Sequence, residues 1–305
     1  MSVKKAAVVG LGNMGRHHAR NYTEIDGCEL VAICDHTSDK LDLYSEKFQV
    51  NAYSSLSEMF ETETIDVVSL VTPTSTHCEL GCQILEYGAH LLIEKPIAST
   101  LDEADRLIAL AKEKKLVLCV GHIERFNPII VHLHHLMSTG ELGDLKSISS
   151  KRLSPMPQQI QDMNVLMDLA VHDVDIFSYL IGRSPQYVHS HKGKCFLDQH
   201  EDYAAMFLDY GDCYGVIHVS WISPNRQRSL DLQFSKAALS LDYVGQKIIK
   251  YTRDSQGDPH EQVIQITPQE PLKRELSHFL SVVKGKDVSV ISSENAKEAL
   301  RLVLQ

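Results

Sequence analysis

The sequence predicts an α/β protein with two domains. The first is a Rossmann domain, a doubly wound parallel sheet, and the second is an α+β domain with a mostly antiparallel or mixed open sheet. Up to about residue 120, short apolar runs alternate with amphipathic stretches, which is typical of parallel strands joined by helices. From 185 to 266 several strand patterns follow one another, which favours an antiparallel or mixed sheet. The 305 residues exceed what a single core usually fills, so we divide the chain into domains at 1–122 and 123–305.

The strands of the first domain are predicted from continuous rather than alternating apolar residues, because parallel strands are buried on both faces. Amphipathic segments between them predict helices that complete right-handed crossovers. The predicted strands span 6–10, 30–35, 66–71, 90–94 and 116–121, and the predicted helices lie near 14–25, 39–48, 77–88 and 100–115.

The pattern changes after Pro128, where helices and strands no longer alternate. Segments 203–210 and 214–222 flank Gly211-Asp212-Cys213, which is a hairpin signal. The other predicted elements are helices near 129–139, 164–181, 270–284 and 293–304, a strand at 145–153, and a loop rich in proline and glutamine at 154–161.

Composition narrows the class of protein. A formal charge of −10 and the lack of a Lys/Arg run argue against a general nucleic-acid binder. No apolar run approaches the roughly 18 residues of a membrane helix, and a strand pattern at the N-terminus disfavours a signal peptide. Seven scattered cysteines do not form a disulfide framework, and Cys78 and Cys82 beside His77 lack a second pair at ligand spacing. We therefore expect a cytoplasmic, reduced protein without a metal.

A dinucleotide site is predicted where the first strand runs into the glycine-rich segment 10–15. Gly10 permits a tight turn, Gly12 lets a diphosphate approach the backbone, and Gly15 lets helix and strand pack closely. Asn13 and Met14 complete this turn, and the following helix offers N–H groups and a positive dipole end to the phosphates.

The carboxylate that ends the second predicted strand, Asp35, lies 20 residues after Gly15, where an acid can accept hydrogen bonds from an adenosine ribose. Because the carboxylate of Asp35 would repel the 2′-phosphate of NADP, the sequence favours NAD over NADP. Alternatively, Asp35 only caps the next helix. The predicted strand at 66–71 ends at the same edge of the sheet, where ligands bind in open α/β sheets. It leads into Thr72, Thr74 and His77, which could face the cofactor or could simply begin a helix.

A lysine at the end of a buried strand is the first candidate for chemistry. Glu94 and Lys95 lie at the crevice edge, and Pro96 biases Lys95 toward an extended backbone. An ammonium group there can stabilise an alkoxide as hydride leaves. Alternatively, Lys95 is only paired with Glu94 or solvated.

The second domain supplies possible acid–base groups. Asp168, His172 and Asp175 fall at i, i+4 and i+7 on one face of a predicted helix. Histidine can accept an alcohol proton while a carboxylate orients its ring. Alternatively, His172 is a structural residue with a local hydrogen bond.

Taken together, the segments 10–15, Glu94-Lys95-Pro96 and 168–172 resemble the glucose–fructose oxidoreductase/inositol dehydrogenase/MocA (Gfo/Idh/MocA) family over essentially the whole chain. The resemblance implies an NAD(P)-dependent oxidoreductase acting on CH–OH groups, in which Lys95, Asp168 and His172 are catalytic. It also implies a homodimer or homotetramer formed through the second-domain sheet. The chain departs from the family at Ala170, where many members have glycine, and at 162–165, which lacks a Gly-rich run.

A narrower likeness involves segment 120–128, Lys151-Arg152 and the form Asp-Leu-Ala-Val-His-Asp. These resemble the UDP-N-acetylglucosamine 3-dehydrogenases, which implies a nucleotide-sugar substrate. The expected substrate-binding residues are Arg125, Asn127, Lys151, Arg152, Asp168 and His172. Arginine and lysine side chains suit a diphosphate, although surface solvation or subunit contacts would also explain them. Two alternatives remain, a dehydrogenase of an inositol, free sugar or dihydrodiol, and a non-catalytic dinucleotide sensor.

Overall fold

The structure, a computed structural model, describes residues 3–157 and 163–305. The chain forms two compact units, Met1–Ile123 with Leu272–Leu300, and Glu124–Pro271 with Arg301–Gln305. The predicted second domain, 123–305, is therefore not continuous, because the segment from Leu272 to Leu300 packs with the first unit.

The first unit contains a parallel sheet of six strands with the order β3-β2-β1-β4-β5-β6, as expected for a Rossmann domain. The five predicted strands are present, and a short edge strand, β3, was not predicted. The strands are β1 (Lys4–Val9), β2 (Cys28–Cys34), β3 (Asn51–Tyr53), β4 (Val67–Leu70), β5 (His90–Glu94) and β6 (Leu118–Gly121).

Helices cover this sheet, and their starts follow local sequence signals. Thr100 caps the helix that begins at Leu101. Its side chain accepts the N–H of Glu103, and the Glu103 side chain accepts the N–H of Thr100. The helix at 56–62 was not predicted. The helices of this unit are α1 (Gly15–Glu24), α2 (Ser38–Phe48), α3 (Leu56–Thr62), α4 (His77–Glu86) and α5 (Leu101–Lys114).

Two late helices, α8 (Pro271–Val283) and α9 (Ser293–Val303), explain the discontinuous boundary. Leu276 and Phe279 of α8 are fully buried in one cluster with Tyr22 of α1 and Val8 of β1. Burying such side chains contributes roughly 1.5–3 kcal/mol each, and this apolar face is what holds the segment on the first unit.

The second unit contains a mixed sheet of eight strands with the order β14-β13-β12-β11-β7-β10-β9-β8. Only β10 and β7 pair in parallel, and the other six pairs are antiparallel, which confirms the predicted fold class. The strands are β7 (Leu145–Leu153), β8 (Tyr187–Gly193), β9 (Tyr203–Asp209), β10 (Tyr214–Ser220), β11 (Gln227–Phe234), β12 (Ala238–Asp242), β13 (Lys247–Arg253) and β14 (Pro259–Ile264).

One face of this sheet packs against α7 (Val171–Ile181), and the opposite face of β11 carries polar side chains. The preceding helix, α6 (Pro128–Ser138), contacts α7 through the stacked rings of His134 and Tyr179. Gly215 lets α7 approach β10, because a Cβ atom there would lie 2.7 Å from the ring of Phe177. In β11, Leu230 and Leu232 are buried, whereas Ser229 and Asp231 point to the other face. The predicted loop at 154–161 lies partly outside the described residues. No helix in the described ranges is long and apolar enough to cross a membrane.

Candidate active site

The glycine-rich turn has the geometry that a dinucleotide requires. Gly10 adopts φ of 92°, and a Cβ atom there would lie 2.5 Å from the carbonyl oxygen of Val71. A Cβ atom on Gly15 would clash with the carbonyl of Gly10, so α1 can begin this close to the turn only because residue 15 is glycine. A Cβ atom on Gly12 would meet only open space, which leaves room for a diphosphate. The N-terminus of α1 has no side-chain cap and no acid in its first turn, and the carboxamide of nearby Asn13 accepts from Arg16 at 2.7 Å.

Asp35 lies directly beside this turn. Its carboxylate accepts the backbone N–H of Leu11 at 2.6 Å and that of Thr37 at 2.9 Å. Burial alone would raise the pKa of Asp35, but these hydrogen bonds and Lys40 lower it. An ionised carboxylate thus fixes the loop, and its remaining lone pairs suit the ribose hydroxyls of a dinucleotide.

The histidine that follows β4, His77, contacts backbone carbonyl groups through both ring nitrogens. The ring of His77 is buried, with Nδ1 3.0 Å from the carbonyl oxygen of Pro96 and Nε2 3.0 Å from that of Thr72. His77 therefore ties the end of β4 to the segment after β5, which disfavours direct cofactor contact. Thr72 accepts a hydrogen bond from Thr76, and Thr74 is buried at the start of a 3₁₀ turn.

Glu94 is held by neighbours on two sides. Nε2 of His18 lies 3.1 Å from one carboxylate oxygen, and the N–H of Lys95 donates to the other at 3.2 Å. A Cβ atom on Gly121 would lie 3.0 Å from the carboxyl carbon, so glycine makes room for Glu94. Burial would raise the pKa of Glu94, but the hydrogen bond from His18 and the charge of Lys95 lower it. Glu94 is thus a buried structural carboxylate that fixes the backbone of Lys95.

Lys95 follows the carboxyl end of β5, so it shares a sheet edge with the glycine-rich turn after β1. Its side chain is half-buried, and the bond to Pro96 is cis. Lys95 thus stays a candidate for contact with a ligand held at this edge of the first unit.

The second unit presents Asp168 and His172 from a distorted helix. A π-helical turn, Leu166–Ala170, precedes α7 and contains Asp168. Such turns break the i, i+4 spacing of a regular helix and are frequent at functional sites. Asp168 and His172 are both half-buried, whereas Asp173 and Asp175 are fully buried. Only the first two can meet a ligand.

The two arginines that were predicted to hold a diphosphate are buried in ion pairs. Arg125 donates Nε to Asp175 at 2.8 Å and Nη2 at 2.6 Å, and its guanidinium lies 4.8 Å from the ring centroid of Tyr179. Asp175, which was predicted to share a helical face with Asp168 and His172, therefore forms an ion pair with Arg125.

Arg152 points to the covered face of the sheet. Its Nε lies 2.9 Å from both carboxylate oxygens of Asp173, and Nη1 lies 2.8 Å from Glu124. Tyr243 stacks on the guanidinium at 4.7 Å. Burial would lower the pKa of Arg152, but these carboxylates raise it, so the cation is permanent. This corrects the diphosphate-binding role expected for both arginines.

Of the remaining substrate candidates, Asn127 is also structural. Its carboxamide accepts the N–H of Ile129 at the start of α6 and donates to Glu124 at 3.1 Å. Lys151 is exposed on the opposite face of the sheet, across from Ser229 in β11. Of the three cationic side chains predicted to hold a diphosphate, Arg125, Lys151 and Arg152, only Lys151 is exposed.

Sequence reasoning missed three residues that the structure brings forward. His18 and Glu275, at internal positions of α1 and α8, are buried beside or near Glu94, and nothing local in sequence predicts this meeting. Arg228 lies on the same face of β11 as the buried Leu230 and Leu232. A charged residue at a position that alternation assigns to the buried face of a strand is a signal that could have identified Arg228 from the sequence.

Comparison with known proteins bears on both units. Residues 4–122 match the family model described as "Oxidoreductase family, NAD-binding Rossmann fold", and residues 130–240 match the GFO/IDH/MocA C-terminal domain. The chain is 27% identical to UDP-N-acetylglucosamine 3-dehydrogenase of Acidithiobacillus ferrooxidans over 92% of this chain and 88% of that protein. It is 27% identical to myo-inositol 2-dehydrogenase of Thermotoga maritima over 98% of this chain and 93% of that protein.

Solved structures agree with the fold. The Acidithiobacillus ferrooxidans UDP-N-acetylglucosamine 3-dehydrogenase superposes with a TM-score of 0.89 and 26% identity, covering 100% of this chain and 96% of that one. Among residues 3–157 and 163–305, no group of three His, Cys, Asp or Glu side chains is placed to hold a metal ion.

Proposed function

The chain belongs to the Gfo/Idh/MocA family of oxidoreductases, and we propose that it oxidises UDP-N-acetylglucosamine to its 3-keto form with NAD as the hydride acceptor. The observation that carries this substrate is the similarity to a UDP-N-acetylglucosamine 3-dehydrogenase, which extends over 92% of the chain and so includes the second unit. The chemistry rests on Lys95, Asp168 and His172, the three half-buried polar residues that match the family motifs.

The first unit binds the cofactor in this proposal. Gly12 leaves space for the diphosphate, the uncapped end of α1 meets its charge, and Asp35 accepts the ribose hydroxyls. The carboxylate of Asp35 favours NAD, because a 2′-phosphate would face a fixed negative charge. NAD, when bound, supplies the acceptor for the hydride that leaves the substrate carbon.

Proton transfer is assigned to His172. As the C–H bond gives its electron pair to the acceptor, the C–O bond becomes a carbonyl and the hydroxyl proton passes to the ring of His172. Asp168 favours the imidazolium that forms, and the Lys95 ammonium stabilises the developing alkoxide. Glu94 keeps Lys95 in place through the backbone N–H of that residue.

Substrate anchoring requires cations in an acidic protein. With a formal charge of −10, the chain as a whole repels an anion, so a nucleotide diphosphate needs local positive charge. Arg125 and Arg152 are occupied by buried carboxylates. Lys151 is accessible and remains a candidate for this contact.

An inositol is the second candidate substrate. The myo-inositol 2-dehydrogenase of Thermotoga maritima is equally similar, at 27% identity over 98% of this chain. An inositol carries no phosphate, so it would make the exposed cations of the second unit irrelevant to substrate binding.

We further propose a homodimer or homotetramer formed through the open face of the second-unit sheet. Phe207 and Tyr214 stack on each other at 5.6 Å on this face, and each is 45% exposed. Paired exposed aromatics of this kind are typical of surfaces that a partner covers.

The experiment that tests the function is NADH formation, followed by absorbance, with UDP-N-acetylglucosamine, free N-acetylglucosamine and myo-inositol as separate substrates. We expect turnover of the nucleotide sugar and much weaker activity on the free sugar, because remote binding energy aligns the reacting carbon. Preference for myo-inositol would reject the nucleotide-sugar substrate and keep the dehydrogenase. Binding of NAD without turnover of any of them would favour a sensor.

A further inference from the structure

The carboxylate of Asp35 lies between backbone N–H groups and two side-chain nitrogens. Nζ of Lys40 lies 3.6 Å from Oδ2, and Nδ1 of His36 lies 3.5 Å from Oδ1. The N–H groups of Leu11 and Thr37 donate to the same two oxygens, at 2.6 Å and 2.9 Å. Each carboxylate oxygen of Asp35 therefore has one backbone donor and one nitrogen-bearing side chain beside it.

These three side chains differ in their contact with solvent. The side chain of Asp35 is only 4% exposed, whereas that of Lys40 is 40% exposed and that of His36 is 92% exposed. A ligand that arrives from solvent therefore meets Lys40 and His36 more readily than it meets the carboxylate of Asp35. Among the described residues, Asp35 is the only carboxylate within 4 Å of the Lys40 ammonium group.

The start of α2 positions Lys40. The backbone N–H of Lys40 donates to the carbonyl oxygen of Thr37 at 3.2 Å, so the first turn of the helix fixes its Cα atom. Thr37 precedes α2 without a side-chain cap, so no capping side chain takes up the first N–H groups of this helix. The positive end of the helix dipole adds to the charge of Lys40, and the exposed acid Asp39 of the same turn acts against it.

The ion pair changes what a phosphate on the adenosine ribose would meet. The carboxylate of Asp35 alone would repel a 2′-phosphate, but a lysine at this distance offsets part of its field. An ammonium group is also a good donor to phosphate oxygens. The ribose diol of NAD is neutral, so the charge of Lys40 matters much less for NAD than for NADP.

We propose that Lys40 is a second determinant of cofactor choice, which acts against Asp35 by binding the 2′-phosphate of NADP. Asp35 favours the ribose diol of NAD, whereas Lys40 neutralises part of that carboxylate and offers a phosphate contact. NADP is thus bound more weakly than NAD but is not excluded. This inference rests on the dinucleotide site of the proposed function and names the residue that limits its selectivity.

The test measures dissociation constants of NAD and NADP for the full chain by calorimetry. It repeats them with adenosine 5′-monophosphate and adenosine 2′,5′-bisphosphate, which differ only in the 2′-phosphate. Lys40→Gln should weaken NADP and the bisphosphate about tenfold, the usual cost of one charge-assisted hydrogen bond, and change NAD and the monophosphate by about twofold at most. Lys40→Arg should keep the affinity for NADP. Lys47→Gln is the matched control, because this exposed lysine lies in the last turn of α2.

A double substitution separates phosphate binding from the loss of repulsion. Asp35→Asn should raise the affinity for NADP relative to NAD, because the repelling charge is removed and Lys40 loses its ion pair. Adding Lys40→Gln should cancel most of this gain. If the double variant kept the full gain, repulsion by Asp35 alone would explain cofactor choice and the role of Lys40 would be overturned.

Two further outcomes separate the inference from the function on which it rests. If the wild type binds NAD and Lys40→Gln keeps the wild-type ratio of NAD to NADP affinity, the role of Lys40 is rejected while the NAD site stands. If the wild type binds neither NAD nor adenosine 5′-monophosphate, the dinucleotide site of the proposed function fails and the inference is overturned with it.

Discussion

Nε2 of His18 lies 3.1 Å from the carboxylate of Glu94, and neither side chain has appreciable contact with solvent. Because the pKa of Glu94 is lowered, this carboxylate is ionised and His18 donates the hydrogen bond. Glu275 of α8 is buried in the same part of the first unit, and neither of its carboxyl oxygens has a partner among the described residues. Burial and then the charge of Glu94 raise the pKa of Glu275 well above its ordinary value. Burial beside an ionised carboxylate therefore favours the protonated form of Glu275.

The first prediction concerns the pH dependence of stability. A raised folded-state pKa means that the folded protein holds the Glu275 proton more tightly than the unfolded chain does. This contribution is fully present below the unfolded pKa and is lost as pH rises toward the folded pKa. Glu275→Gln should therefore raise the free energy of unfolding more at pH 8 than at pH 5, by about 1.4 kcal/mol for each unit of pKa difference. Urea unfolding at both pH values measures this.

The control for this prediction is Glu113→Gln, on the exposed surface of α5. It should change the free energy of unfolding by similar small amounts at both pH values. If Glu275→Gln behaved in the same way, Glu275 would be ionised in the folded protein and the proposed charge distribution around Glu94 would be wrong.

The second prediction is that Asp35 sets cofactor choice. Asp35→Asn removes the charge that faces the ribose and weakens the acceptor of the Leu11 and Thr37 N–H groups. Loss of hydrogen bonds to a charged group typically costs about 1.5–3 kcal/mol, so NAD binding should weaken about tenfold or more. Discrimination against NADP should also relax. Fluorescence titration with both cofactors checks this, with Asp39→Asn, at an exposed residue of α2, as the control. An unchanged NAD/NADP ratio would contradict the role of Asp35.

The third prediction assigns proton transfer. His172→Ala should bind NAD normally and lose about 10²–10⁴-fold in kcat, the usual cost of removing a positioned acid–base group. Stopped-flow NADH formation under single-turnover conditions measures the loss. His135→Ala, at an exposed histidine of α6, should be silent. If Lys95→Ala were far more damaging than His172→Ala, Lys95 would be the proton acceptor instead, and normal activity in both variants would remove the assignment.

The Rossmann unit was predictable because its signals are local. Continuous apolar runs mark parallel strands, and the glycines at 10, 12 and 15 each meet a steric condition that the structure displays around the turn. Both unpredicted elements, β3 and α3, are short, with three and seven residues. Periodicity needs a longer stretch to be recognised.

The pairing of buried charges could not be read from local sequence. Arg152 meets Asp173 and Glu124 only because β7, α7 and the segment before α6 pack together. The strand pattern of β7 nevertheless indicated the face to which Arg152 points. Arg152 lies four residues after Ile148, so both side chains lie on the same, buried face of the strand. The return of α8 to the first unit likewise depends on tertiary packing of Leu276 and Phe279 rather than on chain order.

The last prediction separates a structural arginine from a substrate-binding one. Arg152→Gln leaves Asp173 and Glu124 buried without their cation, and removing one partner of a buried pair typically costs about 3–5 kcal/mol of stability. We expect a matching fall in the free energy of unfolding, measured in urea. Arg183→Gln breaks an exposed pair with Asp212 and should cost at most about 1 kcal/mol. Activity should fall with the folded fraction, without a selective rise in KM for UDP-N-acetylglucosamine. Wild-type stability together with a raised, salt-dependent KM in Arg152→Gln would restore the diphosphate role that the buried ion pairs argue against.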